Sequence, residues 1–250
     1  MKDDLIKYIL HLADNNLILG QRNAEWCGHG PVLEQDIALT NISLDLIGQA
    51  RLLYQYAAEL KGGESTEDTL AYLRTEREYL NVLLVEQPNG NWGDTIMRQF
   101  LYDAFNYFNY KALETSSDTQ LAAIAAKSIK EVSYHLRFSS EWVVRLGDGT
   151  EESRDKMISA VNDLWKYTGE MFQATSYENS IKGAGISPDL GDIHSKWEEK
   201  VKEVLVEATI PVPSSPWMQN GGKKGIHSEH MGFILTELQY VQRTYPNLQW

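Results

Sequence analysis

Residues 95–113 read TIMRQFLYDAFNYFNYKAL, and only Arg98, Asp103 and Lys111 among them carry charge. Phe100, Tyr102, Phe105, Tyr107, Phe108 and Tyr110 crowd around those three. A helix apolar on most sides belongs at the centre of a bundle, because no face is left to turn to water. Segment 37–60 has the same character, with Asp45, Arg51 and Glu59 as its only charges. Two greasy helices so far apart in the chain point to a helical core built from distant segments.

Outward from these, apolar residues recur at three- and four-residue steps almost throughout. The spacing predicts helices at roughly 3–20, 33–61, 66–86, 93–114, 117–146, 151–177, 189–208 and 227–243. The fold class is all-α, a helical bundle with additional outer helices, since 151–177 and 189–208 are richly charged. Gly28-His29-Gly30-Pro31, Gly62-Gly63, Pro88-Asn89-Gly90, Gly147-Asp148-Gly149 and the loop from Pro211 to Pro216 mark stops. Ser65 or Thr66 and Asp118 mark starts. No Pro/Gly/Ser-rich linker divides two comparable halves. The expectation is one domain over 1–250, with a C-terminal loop and helix from about 209. No internal repeat suggests a solenoid.

The formal net charge of −12 argues against non-specific binding to nucleic acid or to anionic membranes. Cys27 is the only cysteine, so no intrachain disulfide forms and a reducing compartment suits the chain. Met1 to Lys7 is charged and periodic, without the apolar core of a signal peptide. No apolar run reaches the length of a membrane span. These features lead us to expect a soluble, cytoplasmic protein.

Polar residues interrupt the greasy helices at helical spacing. Asn41, Asp45 and Gln49 form one stripe; Gln99, Asp103 and Asn106 form another; Lys127, Glu131 and His135 form a third, continued by Ser139. Asn15 and Asn16 interrupt the first helix. Buried charges are costly unless paired, so such stripes meet either in a register-fixing hydrogen-bond network or in a binding site. The histidines separate these readings. Bundles of this type hold two metal ions through Glu-x-x-His pairs. The residues three before His11, His29, His135, His194, His227 and His230 are Tyr8, Trp26, Val132, Gly191, Lys224 and His227, none of them acidic. The best candidate reads Val132-Ser133-Tyr134-His135, apolar where a ligand belongs. We therefore expect a diiron-type scaffold without bound metal, with His135, Lys127 or Arg98 neutralising Asp103. The rival is a divergent metal-dependent oxygenase using Asp45, Asp103, Glu131 and His135.

Cys27-Gly28-His29 lacks a second ligand pair and makes a poor zinc site. The segment Gly221-Gly222-Lys223-Lys224-Gly225-Ile226-His227-Ser228-Glu229-His230 leads into a helix. Gly221, Gly222, Lys223 and Lys224 are candidates for a phosphate contact, because backbone N–H groups and the helix dipole favour anions there. A solvated turn is the competing reading. His227 and His230 suit helix capping or interface contacts. Trp217, Tyr240, Tyr245 and Trp250 suit a partner surface or core anchors equally well.

Glu25-Trp26-Cys27-Gly28-His29, the run Asn41 to Arg51, Leu84 to Asn91, Tyr134 to Phe138, Gly221 to His230 and the closing Leu248-Gln249-Trp250 together resemble the family of noncatalytic C subunits of bacterial phenylacetyl-CoA 1,2-epoxidases. The resemblance runs essentially end to end. It implies a ferritin-like fold and a place in a multicomponent monooxygenase of phenylacetate catabolism. There, a homologous catalytic A subunit carries the diiron centre and epoxidises the aromatic ring with O2, and a reductase delivers electrons from NADPH. It implies that this chain binds no cofactor and pairs with the A subunit. It also allows an indirect contact with phenylacetyl-CoA, through the Gly221 to Lys224 loop. Against the catalytic relative, the first Glu falls on Asn15 or Asn16 and the first Glu-x-x-His on about Leu46 and Gln49. The next acid falls on Asp103, and the second Glu-x-x-His on Val132 and His135. Vestigial positions are then Asn16, Gln49, Asp103, Val132 and His135, with no catalytic residue.

Overall fold

A computed structural model describes residues 1–214 and 217–246. The end of the proline loop at Pro216, and Leu248, Gln249 and Trp250, lie outside the described residues. Among the described residues the chain forms α1 (Lys2–Ala24), α2 (Leu33–Lys61), α3 (Glu67–Tyr72), α4 (Trp92–Leu113), α5 (Thr119–Gly147), α6 (Glu151–Trp165), α7 (Ser176–Lys182), α8 (Leu190–Glu207) and α9 (Glu229–Thr244). Short 3-10 turns lie at Glu76–Glu78, Leu83–Glu86, Gly169–Phe172 and Gly222–Lys224. The described residues contain no strand, so the all-α class holds and is consistent with a ferritin-like helical fold. No helix among them is long and apolar enough to cross a membrane.

The chain divides into two compact units: Met1–Gln87 with Gly221–Trp250, and Pro88–Asn220. The C-terminal segment expected from about 209 is therefore shared, its first part in one unit and α9 in the other.

In the first unit α1 packs along α2. The helix expected to stop at residue 20 continues to Ala24. Gly20 is a contact there, not a stop. A Cβ on it would lie 3.1 Å from Ile47 Cγ1, and its carbonyl accepts from Ser43 Oγ at 2.7 Å. From His11 to Gly20 every residue of α1 is buried, polar ones included. By contrast α2 is not buried on all sides as its composition suggested: Asn41 and Leu44 are exposed and Asp45 is half-buried.

The expected helix 66–86 does not exist as one element. It starts well, with Thr66 and Thr69 forming a capping box, but ends at Tyr72. Beyond it, side chains of α1 take the backbone N–H groups that a continuing helix would have used. Asp14 Oδ2 accepts from Leu80 N at 2.8 Å and Asn15 Oδ1 accepts from Val82 N at 2.8 Å. Tertiary partners of charged or amide type outweigh helix propensity, which is worth only tenths of a kcal/mol per residue.

In the second unit α4 and α5 form the main pair, with α6 and α8 packed on both. Asn91 opens α4 as a cap, its Oδ1 accepting from Gly93 N at 2.8 Å. The inference from residues 95–113 holds: Thr95 to Asn106 is continuously buried. Trp197 of α8 donates its indole N–H to Leu101 O at 2.9 Å. The expected helix 151–177 breaks after Trp165. Thr168 Oγ1 donates to Trp165 O at 2.8 Å, and Gln219 N donates to Lys166 O at 2.7 Å. A new capping box, Thr175 with Glu178, then starts α7.

Candidate functional site

Asp103 and His135 are the two expected vestigial positions with polar side chains that one unit brings together, on the facing sides of α4 and α5. Both are fully buried, as is Val132 one turn before His135. Asp103 Oδ1 accepts from Gln99 Nε2 at 2.7 Å, along the i, i+4 stripe read from sequence, and Oδ2 accepts from Ser139 Oγ at 2.8 Å. Burial pushes the Asp103 carboxyl up to about 7, against the opposing pull of His135 and of the two hydrogen bonds. The site accepts either state. When Asp103 is protonated it can donate to Ser139 Oγ, which then turns its own proton to His135 O, 2.9 Å away.

Of the expected cations, His135 exerts the largest opposing pull on Asp103. Lys127 is exposed and Glu131 half-buried, because a four-residue step advances 40° around a helix and carries the stripe out of the core. Arg98 is buried but donates through Nη2 to Asn89 Oδ1 at 2.7 Å. The amide of Gln99 and the hydroxyl of Ser139 make the hydrogen bonds to Asp103, beside the charge of His135.

In the other unit Asn16 and Gln49 are buried on α1 and α2, as is Leu46. Asn15, the alternative to Asn16, is committed elsewhere. Its Oδ1 takes Val82 N, and its Nδ2 donates to His11 Nε2 at 3.4 Å while His11 Nδ1 donates to Leu80 O at 2.7 Å. These side chains do not fit a diiron centre. Such a centre needs about four carboxylates and two imidazoles. Here Asp103 is held by two neutral donors, Val132 offers no ligand atom, and Asn15 is occupied by backbone. No group of three or more His, Cys, Asp or Glu that could hold a metal ion occurs among the described residues.

Two polar clusters were not foreseen. In the first, Asp14 accepts from Tyr54 Oη at 2.6 Å, from Arg74 Nη1 at 3.0 Å and again from Arg74 Nη2, besides Leu80 N. The guanidinium also lies over the Tyr79 ring, 4.2 Å from its centroid. In the second, Glu86 accepts from Ser228 N at 2.6 Å, from Asn81 Nδ2 at 3.1 Å and from His227 Nδ1 at 2.9 Å. His227 Nε2 donates to Tyr79 O at 3.0 Å. His227 therefore docks α9 through Glu86 and Tyr79, where the sequence leads one to expect helix capping or interface contacts. Neither cluster has a sequence signature, since apart from Asn81 with Glu86 and Arg74 with the Tyr79 ring their contacts span 40 to 148 residues.

The glycine–lysine loop is more closed than its composition suggested. Gly221, Gly222 and Lys223 are buried, and Lys224 alone of the four candidate residues is exposed. Gly222 lies against Asn81 and Leu83 backbone so tightly that a Cβ would clash. Gly225, at φ +75°, lies against Arg77 O. The glycines are explained by close backbone approach. Trp217, Tyr240 and Tyr245 are exposed, whereas Trp250 lies outside the described residues. Cys27 is a free, exposed thiol.

The sequence profile of the family "Phenylacetic acid catabolic protein" matches residues 1–250. The chain is similar to the C subunit of 1,2-phenylacetyl-CoA epoxidase of Escherichia coli (strain K12), with 51% identity over 248 residues, 99% of this chain and 100% of that one. It is also similar to the A subunit of the same epoxidase, with 26% identity over 161 residues, 64% of this chain and 51% of the relative.

Proposed function

This chain belongs to the phenylacetic acid catabolic protein family, and we propose that it is the noncatalytic, structural subunit of a phenylacetyl-CoA 1,2-epoxidase. It pairs with a homologous diiron A subunit in the cytoplasm and stabilises it. That partner epoxidises the aromatic ring of phenylacetyl-CoA with O2 and with electrons drawn from NADPH through a reductase. This chain acts as a single domain and supplies no reacting group. End-to-end similarity to an epoxidase C subunit carries the reading. The donor set around Asp103 supports it, because one carboxylate satisfied by Gln99 and Ser139 cannot balance two iron ions. A contact with a coenzyme phosphate would run through Lys224, the exposed residue of the four in the glycine–lysine loop.

The test is metal analysis of the chain purified alone from iron-replete medium, with epoxidase assays of the A subunit with and without it. Iron near zero per chain, and activity that depends on the A subunit and rises with this chain, are expected. About two iron per chain would favour the divergent oxygenase built on Asp45, Asp103, Glu131 and His135. In the structure Asp45 and Glu131 are only half-buried, a poor start for such a site.

A further inference from the structure

Helix α2 leaves a broad apolar face uncovered. Leu33 is 70% exposed, Leu44 62%, Ile37 50% and Ile47 36%. At 100° per residue these four fall within about 80° of one another. Leu39, Ile42, Leu46, Leu53 and Ala57, buried on the other side, form the face that packs within the unit. With Val32, also exposed, the outward residues present roughly 400–500 Å² of mostly apolar surface, at the upper end for an unpartnered chain. A standard interface takes about 800 Å² from each partner and is a little over half apolar, so the face has the right size to be the core of one.

Gly48 supplies an independent observation on the same face. It sits in the interior of a 29-residue helix, where glycine weakens the backbone. It is exposed, and a Cβ built on it would meet nothing within 4 Å. The chain's own packing does not require glycine there. Beside Leu44 and Ile47 the missing side chain leaves a notch that admits a protruding side chain from outside.

We propose that this face of α2, centred on Leu44, Ile47 and Gly48, is the docking surface for the catalytic A subunit, and this rests on the pairing proposed above. The occupant is a homologous helical chain laying an apolar helix face along α2. A second copy of this chain is the weaker candidate on two grounds. It brings a formal charge of −12 against −12, and a symmetric pair crossing at the notch sets a hole against a hole. A related but different chain can supply the knob.

The experiment titrates the A subunit against the full-length chain carrying Leu44→Glu, with Phe233→Glu on the exposed side of α9 as the comparison. Leu44→Glu is expected to weaken the complex by at least about 30-fold, the size of a single hot-spot loss, and Phe233→Glu to leave it unchanged. Gly48→Leu fills the notch without adding charge. It is expected to weaken binding too, and it decides the matter should Leu44→Glu not fold. If wild type binds the A subunit and both α2 variants bind equally well, the docking surface is wrong while the pairing stands. If wild type fails to bind at all, both readings fall. If the α2 variants dissolve a homodimer of this chain and leave binding to the A subunit intact, the face belongs to self-association and the proposal is overturned.

Discussion

Glu86 and His227, 141 residues apart, form an ion pair whose side chains are both shielded from water, with Nδ1 2.9 Å from Oε2. The other ring nitrogen faces Tyr79 O, which only accepts, so Nε2 carries a proton as well. With both nitrogens turned to acceptors, the ring is held as an imidazolium.

Stability should fall toward alkaline pH through this pair. Burial alone would lower the His227 pKa, but the Glu86 hydrogen bond and charge outweigh it and the net shift is upward. A raised folded value contributes fully below about 6.5 and is lost as pH rises through the folded pKa. Denaturant unfolding of wild type and His227→Gln is expected to show the largest gap near pH 6 and a shrinking one above pH 7. A gap independent of pH would refute the imidazolium.

Asp103 predicts the converse for its own variant. Its pKa near 7 means the folded protein holds the proton more tightly than the unfolded chain, so ionisation costs stability between about pH 4 and 7. Asp103→Asn keeps an acceptor for Gln99 and a donor for Ser139 while removing that cost. At pH 8 the variant should be more stable than wild type by about 1–3 kcal/mol, and at pH 4 about equal. A destabilised variant at pH 8 would show that the carboxylate charge is needed.

Removing the acceptor at Asp14 should be far more damaging. Asp14→Ala leaves Arg74 buried without its carboxylate and strips Tyr54 and Leu80 of theirs. Loss of one partner of a buried pair costs about 3–5 kcal/mol. The loss should appear in melting temperature and in hydrogen exchange at Leu80 and Val82. A change below about 1 kcal/mol would mean the cluster contributes little.

Two glycines should respond oppositely to alanine. Gly48→Ala meets open space and gains helix propensity, so the isolated chain should become more stable by about 0.5–1 kcal/mol. Gly222→Ala drives a methyl into backbone at Asn81 and should destabilise by about 1–3 kcal/mol. Thermal melts of both variants measure the contrast directly.

How much of the fold and site is legible in the sequence depends on whether the deciding contact is local. The burial of α4 is readable because nearly every side chain in 95–113 is apolar, and Gln99 with Asp103 is readable as a pair one turn apart. The same composition misleads at α2, since an uncovered apolar face and a buried one look alike in sequence. α1 misleads in the other direction: His11, Asp14, Asn15 and Asn16 are buried, and the first three hydrogen-bond to distant backbone. The breaks at residues 73 and 166 share that cause. Helical periodicity continues, but capping groups and remote partners claim the backbone.

The reach from Glu86 to His227 also bears on how the molecule is made. A ribosome adds about 5–20 residues per second, so the carboxylate emerges roughly 7–28 s before the imidazole that completes it. Throughout that interval residues 88–220 are being synthesised and can settle into their own unit while the first waits for its last helix. The nascent amino-terminal part thus spends most of translation unfinished, and it is there that a chaperone would have the longest hold.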